Sequence, residues 1–199
     1  MIFAQHITKK EIQNLPLVKF AGKIHLVESP RDIGRAVRHL QSAAFMGFDT
    51  EKKPTFQKGQ YHPTALVQLS TLEEAFLFRL TSIGFHDGLK ELLESPSLKK
   101  IGISIKDDLA ALNHISSFSP EGFLDLNDIA SEIGINREGV RNLCAIFLEK
   151  RVSKNQQTSN WENETLTQAQ MTYAATDAWI CGEIYHSLVQ KGYIENGSY

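Results

Sequence analysis

Four carboxylates in this 199-residue chain sit where the surrounding pattern calls for apolar side chains, and they define the chemistry to look for. Asp49 and Glu51 close the run FMGFDTE (45–51), which reads as a strand. Side chains at i and i+2 of a strand share a face, so the two acids point one way while Met46 and Phe48 pack on the other side. Carboxylates held this close repel unless a cation lies between them or one takes up a proton. Alone, such a D-x-E also fits a solvated loop entrance. Asp177 falls in the segment 166–191, on a helical stripe with Leu166, Gln170, Tyr173, Ile180, Ile184 and Leu188. A carboxylate on the face that buries against a sheet must be protonated, paired with Arg or Lys, or bound to a metal. Tyr173, one turn earlier, is either a core tyrosine with a satisfied hydroxyl or a neighbour of that centre. In the pair Asp107-Asp108, Asp107 is expected to cap the helix 107–115. Asp108 shares its face with Leu112 and Ile115 and is expected to point coreward.

Brought together, these acids form an oxygen-only set without Cys or His, the donor chemistry that selects Mg²⁺ or Mn²⁺. Two such ions about 4 Å apart clamp the attacking and leaving oxygens of a phosphodiester displacement. A tyrosine beside one of them could orient the water.

The elements that must position the acids alternate along the chain. Residues 23–29 (KIHLVES) read as a strand, 30–43 as a helix opened by Pro30, and 45–51 as the strand carrying the first acids. A polar loop with Pro54, Lys58, Gly59 and Pro63 follows. TALVQLST (64–71) and EAFLFRL (74–80), separated by a short turn, fit a hairpin. Beyond it come a leucine-rich helix (87–98), a short buried strand (99–105), the helix 107–115, a brief strand (123–126), and helices at 136–151 and 166–191. The pattern predicts one α/β domain with a mixed sheet covered by helices. Its expected limits are 22–190, preceded by a polar arm (1–21) containing a short helix and followed by a flexible tail (191–199).

Composition narrows the function classes. The chain is 42% hydrophobic with a formal net charge of −2, which argues against holding nucleic acid by bulk charge while leaving room for a local basic groove. Cys144 and Cys181 are too few for a disulfide scaffold and read as small buried side chains. The start has no secretory h-region, and no run reaches the ~20 apolar residues of a membrane span. The expectation is a cytoplasmic protein without membrane contact.

With its motifs in order, the sequence resembles the DEDD family of 3′→5′ exonucleases, in the tyrosine-containing branch that includes ribonuclease D and the Werner-syndrome exonuclease domain. The resemblance runs from about residue 22 to 190. It rests on FMGFDTEKKPTF with Ala65-Leu66-Val67-Gln68-Leu69, on KKIGISIKDDLAAL, and on SNWENETLTQAQMTYAATDAWICGEIY. In the second motif Asp108 takes the acidic place, and the Tyr173-to-Asp177 spacing marks the tyrosine branch. Lys52 departs from the pattern, since many members carry an aromatic residue there.

The resemblance implies a ribonuclease H-like sheet and a two-metal exonuclease that releases nucleoside 5′-monophosphates from a single-stranded 3′ end of DNA or RNA. Asp49 would bridge both ions, Glu51 and Asp177 would complete the shell on the water's side, and Asp108 would serve the other ion, in one version through water. Tyr173 would orient and help deprotonate the attacking water. The alternative is a catalytically silent nucleic-acid-binding module with the same fold. Four residues are candidates for substrate contact: Lys154, which matches a lysine the family places before S-x-W, Trp161, which otherwise anchors its loop, Lys52 and the loop aromatic Phe56. Further lysines, among them Lys53 and Lys100, could line a backbone groove or be solvated. His86-Asp87 lacks partners at ligand spacing and is set aside, and Asp125 is expected to cap a helix. A chain of this length leaves no room for a helicase or further helical domains, so either a bare exonuclease domain or a partner protein supplying specificity is expected.

Overall fold

The structure, a computed structural model, describes residues 3–136 and 138–194. The element order is α1 (Lys9–Asn14), β1 (Lys23–Val27), α2 (Pro30–Leu40), β2 (Phe45–Lys52), β3 (Thr64–Ser70), β4 (Glu74–Arg79), α3 (Leu80–Ile83) and α4 (Asp87–Glu94). The second half adds β5 (Lys99–Gly102), α5 (Lys106–Ile115), β6 (Phe123–Asp125), α6 (Leu126–Glu132), α7 (Val140–Leu148) and α8 (Gln168–Gln190). Six strands form one mixed sheet in the order β1-β4-β3-β2-β5-β6. The hairpin β3–β4 and the pair β2–β3 are antiparallel, whereas β1–β4, β2–β5 and β5–β6 are parallel. The mixed α/β sheet anticipated from the sequence is therefore present. Short α3, hidden by its length, is an addition to it, and α6 is the helix expected after Asp125.

Helices cover both faces. Met46 and Phe48 of β2 enter a core with Ile33, Leu40, Leu89, Leu92 and Leu112 from α2, α4 and α5. On the opposite face α8 lies across β2, β3, β4 and β5. Its start is defined by a capping box, in which the Thr167 hydroxyl accepts from the Gln170 backbone and the Gln170 side chain answers the Thr167 amide. Small residues let the two backbones meet. A Cβ on Gly47 would fall 1.8 Å from the carbonyl oxygen of Ala178, so only glycine fits under the helix there.

Several local expectations change. The cap of α5 is Ile105, which leaves Asp107 exposed within the first turn, and Ile115 is exposed rather than coreward. The turn before α5 is held instead by Asp125, whose carboxylate accepts from the amides of Ser104 and Ile105 while also capping α6. His86 caps α4, its ring accepting from the Gly88 amide. Cys144 and Cys181 are both free and buried. In the expected tail, Ile194 is buried, and residues 195–199 lie outside the described residues.

Candidate active site

Gly47, Asp49 and Glu51 alternate along β2 on the face that receives α8. The close approach at Gly47 brings Asp177 down beside them. Carboxylate oxygens of Asp49, Glu51 and Asp177 all lie within 4.8 Å of one another. The β2–β3 register shifts between Glu51 and Lys52, a bulge that ends regular pairing just past the second acid. A cavity of 170 Å³ opens over Asp49 and Asp177, walled by Ser104, Gly139, Val140 and Cys181. A second, 370 Å³ groove between the start of α8 and the arm is lined by Tyr173, Asp177, Thr172, Gln168 and Leu17.

Electrostatics identify what the cluster lacks. Burial, then the charges of Asp177 and Asp108, raise the Asp49 carboxyl well above its usual range. Burial, then the charges of Asp49, Asp177 and Asp108, push Glu51 up to about 10. Asp177 rises to about 7 through burial, opposed by a hydrogen bond from Tyr173. Among the described residues, no Lys or Arg acts on these three acids. Such a set either binds protons or accepts a cation, and an oxygen-only donor set fits a hard divalent ion. Burial and the Asp177 and Glu51 charges also drive the Tyr173 hydroxyl far upward, so it stays protonated and donates to Asp177.

Asp108 stands apart from this triad. Its carboxylate accepts from the Thr50 hydroxyl at 2.5 Å, on the opposite face of β2 near the strand end. It remains within electrostatic reach of Asp49 and Glu51. Burial raises its carboxyl, while Thr50 and then Lys52 pull it back. Lys52 itself is exposed beside Asp108.

Among the expected substrate contacts, Phe56 is 82% exposed in the loop after β2. Lys154 is exposed but lines a surface depression separate from the groove at Tyr173. Trp161 requires correction. At 1% exposure it packs with Leu166, Ala174 and Ala175, and its ring lies 6.1 Å from that of Tyr173. It has no free face for a base and instead anchors the loop before α8. Lys100, buried with its Nζ donating to the Ser95 carbonyl at 2.7 Å, and Lys53, paired with Glu162 at 3.2 Å, are likewise not free.

Other residues act behind the site without a local signal in the sequence. Glu162 holds both ends of the loop 53–62, through Lys53 and through the ring of His62 at 3.0 Å. Buried Arg79 donates to Glu28 at 2.7 Å, to the Glu164 carbonyl at 2.6 Å, and to the Asn163 carbonyl. Gln68 lies directly across from Asp49 in the register, fully buried and with neither amide atom hydrogen-bonded among the described residues. A glycine two positions before Asp49, set against an alanine-rich helix, was the one readable hint of the close packing.

A mixed sheet with helices on both faces and an acidic centre beneath its longest helix defines a ribonuclease H-like α/β domain. The chain matches the family described as 3'-5' exonuclease across residues 24–192 and belongs to it, a family of hydrolytic exonucleases. Among curated proteins it is similar to the mouse bifunctional 3'-5' exonuclease/ATP-dependent helicase WRN (Mus musculus), 33% identical over 189 residues. That match covers 90% of this chain and 14% of the mouse protein. An Arabidopsis thaliana 3'-5' exonuclease is 27% identical, with 92% of this chain and 69% of that one covered. The fold is shared with the Aedes aegypti Nibbler EXO domain at a TM-score of 0.76 and 23% identity, over 84% of this chain and 88% of that one.

Proposed function

We propose that this chain is a metal-dependent 3′→5′ exonuclease that hydrolyses the terminal phosphodiester of a single-stranded DNA or RNA end and releases nucleoside 5′-monophosphates. The observation that carries the reading is the convergence of Asp49, Glu51 and Asp177 within 4.8 Å with no basic residue among the described ones to neutralise them.

Asp49, Glu51 and Asp177 would hold two Mg²⁺ or Mn²⁺ ions, with Asp108 serving the second through water from its place at Thr50. Bound there, the ions would offset charge on the phosphate and lower the barrier to attack by water. The chain's own side chains do the rest. Tyr173, held protonated and bonded to Asp177, orients the attacking water through its hydroxyl rather than acting as a phenolate base. Trp161, packed behind it, limits the ring's movement. The bulge after Glu51 turns the chain into the loop that presents Phe56 to the terminal base. Lys52 adds positive charge at the Asp108 side of the site.

A 3′-labelled single strand incubated with Mg²⁺ or Mn²⁺ should shorten stepwise from its 3′ end, and chelator should stop it. Asp49→Asn should abolish cleavage while leaving the circular dichroism spectrum unchanged. Oligonucleotide binding by the wild type with no metal-dependent cleavage would replace the proposal with a binding module.

A further inference from the structure

The chain as a whole is slightly acidic, yet one surface beside the reaction centre is strongly basic. A depression between α1 and the start of α7 is lined by Lys9, Lys10, Arg141 and Lys154, and no carboxylate among the described residues lines it. None of these four cations has an ion pair among the described residues. The Arg141 Nε is buried without a hydrogen-bond partner among them. Two acids near these cations in the chain bond to other residues that line the depression. Glu11 closes the capping box with Thr8, and Glu138 meets His6 and the Asn142 amide.

Position gives this charge a use. Gly139 and Val140, which wall the cavity over Asp49 and Asp177, also line the basic depression, so the two adjoin at the start of α7. Lys9 and Lys10 come from the arm, outside the region that matches the exonuclease family. The arm is fixed in place. The Arg151 side chain donates to the Leu15 carbonyl at 2.9 Å, Val18 donates to the Arg151 carbonyl at 2.8 Å, and the Phe20 amide donates to Thr176 on α8 at 3.0 Å.

We propose that α1 and the start of α7 form a docking track for the sugar–phosphate backbone of the substrate strand, with Lys9, Lys10, Arg141 and Lys154 each facing phosphate. It rests on the nuclease reading only for which strand is held. Convergent, unpaired cations leading into an acidic reaction centre suit a polyanion whose reacting end must lie among carboxylates. The arm thus extends the grip on the strand beyond the conserved domain's own surface.

The test is binding and turnover as a function of salt and strand length, comparing wild type with Lys9→Ala/Lys10→Ala. Binding of a labelled single strand of about a dozen nucleotides is followed by fluorescence anisotropy across salt concentrations, in the Asp49→Asn background so that no cleavage intervenes. Losing two phosphate contacts should lower the slope of log K against log salt by roughly 1.4. At low salt, affinity should fall about tenfold. In the cleaving protein, kcat/KM should fall for that strand far more than for a dinucleotide, which is too short to reach α1. Lys9→Arg/Lys10→Arg should restore both. An unchanged salt slope, or equal losses for dinucleotide and long strand, would overturn the docking track. A wild type that binds with the full slope but never cleaves would refute the nuclease reading and leave the track standing.

Discussion

The two faces of β2 treat their acids differently. On the α8 face, Asp49, Glu51 and Asp177 are pressed together under a helix that rests directly on Gly47, and nothing basic among the described residues relieves them. On the α5 face, Asp108 has a hydroxyl donor in Thr50 and a lysine beside it. The triad is thus built to need a ligand, whereas Asp108 is already partly satisfied. A related contrast separates the helix-packed site from the loop 53–62, whose ends depend on the single carboxylate of Glu162 and whose aromatic Phe56 stands in solvent.

The largest expected effect comes from the triad. Asp49→Asn should lower exonuclease turnover on the order of 10³-fold or more, since several kcal/mol of charge stabilisation are lost. The same substitution should raise the melting temperature of the metal-free protein, because it removes a buried carboxyl that must take up a proton on folding. Asp108→Asn should cost less activity and leave the metal-free melting temperature nearly unchanged. Equal behaviour of the two variants would erase the contrast between the faces. Tyr173→Phe removes a hydroxyl but no charge, and should slow turnover about 10²-fold with metal affinity retained. Phe56→Ala should act on KM rather than kcat, by roughly five- to tenfold if the ring stacks on a base worth about 1 kcal/mol or slightly more. Glu162→Gln should have the smallest effect, changing stability by less than about 1 kcal/mol because its partners are partly exposed. It should still raise KM a few-fold by freeing the ends of the loop.

The regular parts of this arrangement were legible in the sequence because they follow from periodicity. Alternation along β2 placed Asp49 and Glu51 on one face, and the 3.6-residue stripe of α8 placed Tyr173 and Asp177 toward the sheet. Helix ends were a poorer guide: the residues before α5 are set by Asp125 from a distant strand end rather than capped by Asp107, and Ile115, the last residue of α5, is exposed. Trp161 was ambiguous for a similar reason. A tryptophan in a polar loop fits either base stacking or burial, and only the tertiary fold shows that α8 covers it. The roles of Arg79 and Glu162 rest on partners many residues away, which no local spacing can encode. The basic depression was equally hidden, since its cations come from three separated segments of a chain whose net charge is −2.

Thermal melting of the metal-free protein against pH, with and without Mn²⁺, tests the central claim most directly. Asp177 is raised to about 7 in the folded state from an ordinary carboxylate value near 3.8. The native state therefore binds more protons than the unfolded chain between those values, and stability must fall as pH rises through that window. The melting temperature should decline from pH 5 toward pH 8 without metal, and Mn²⁺ at pH 8 should restore it in the wild type but much less in Asp49→Asn. A flat pH profile together with no response to Mn²⁺ would show that the three carboxylates do not form a cation-binding centre.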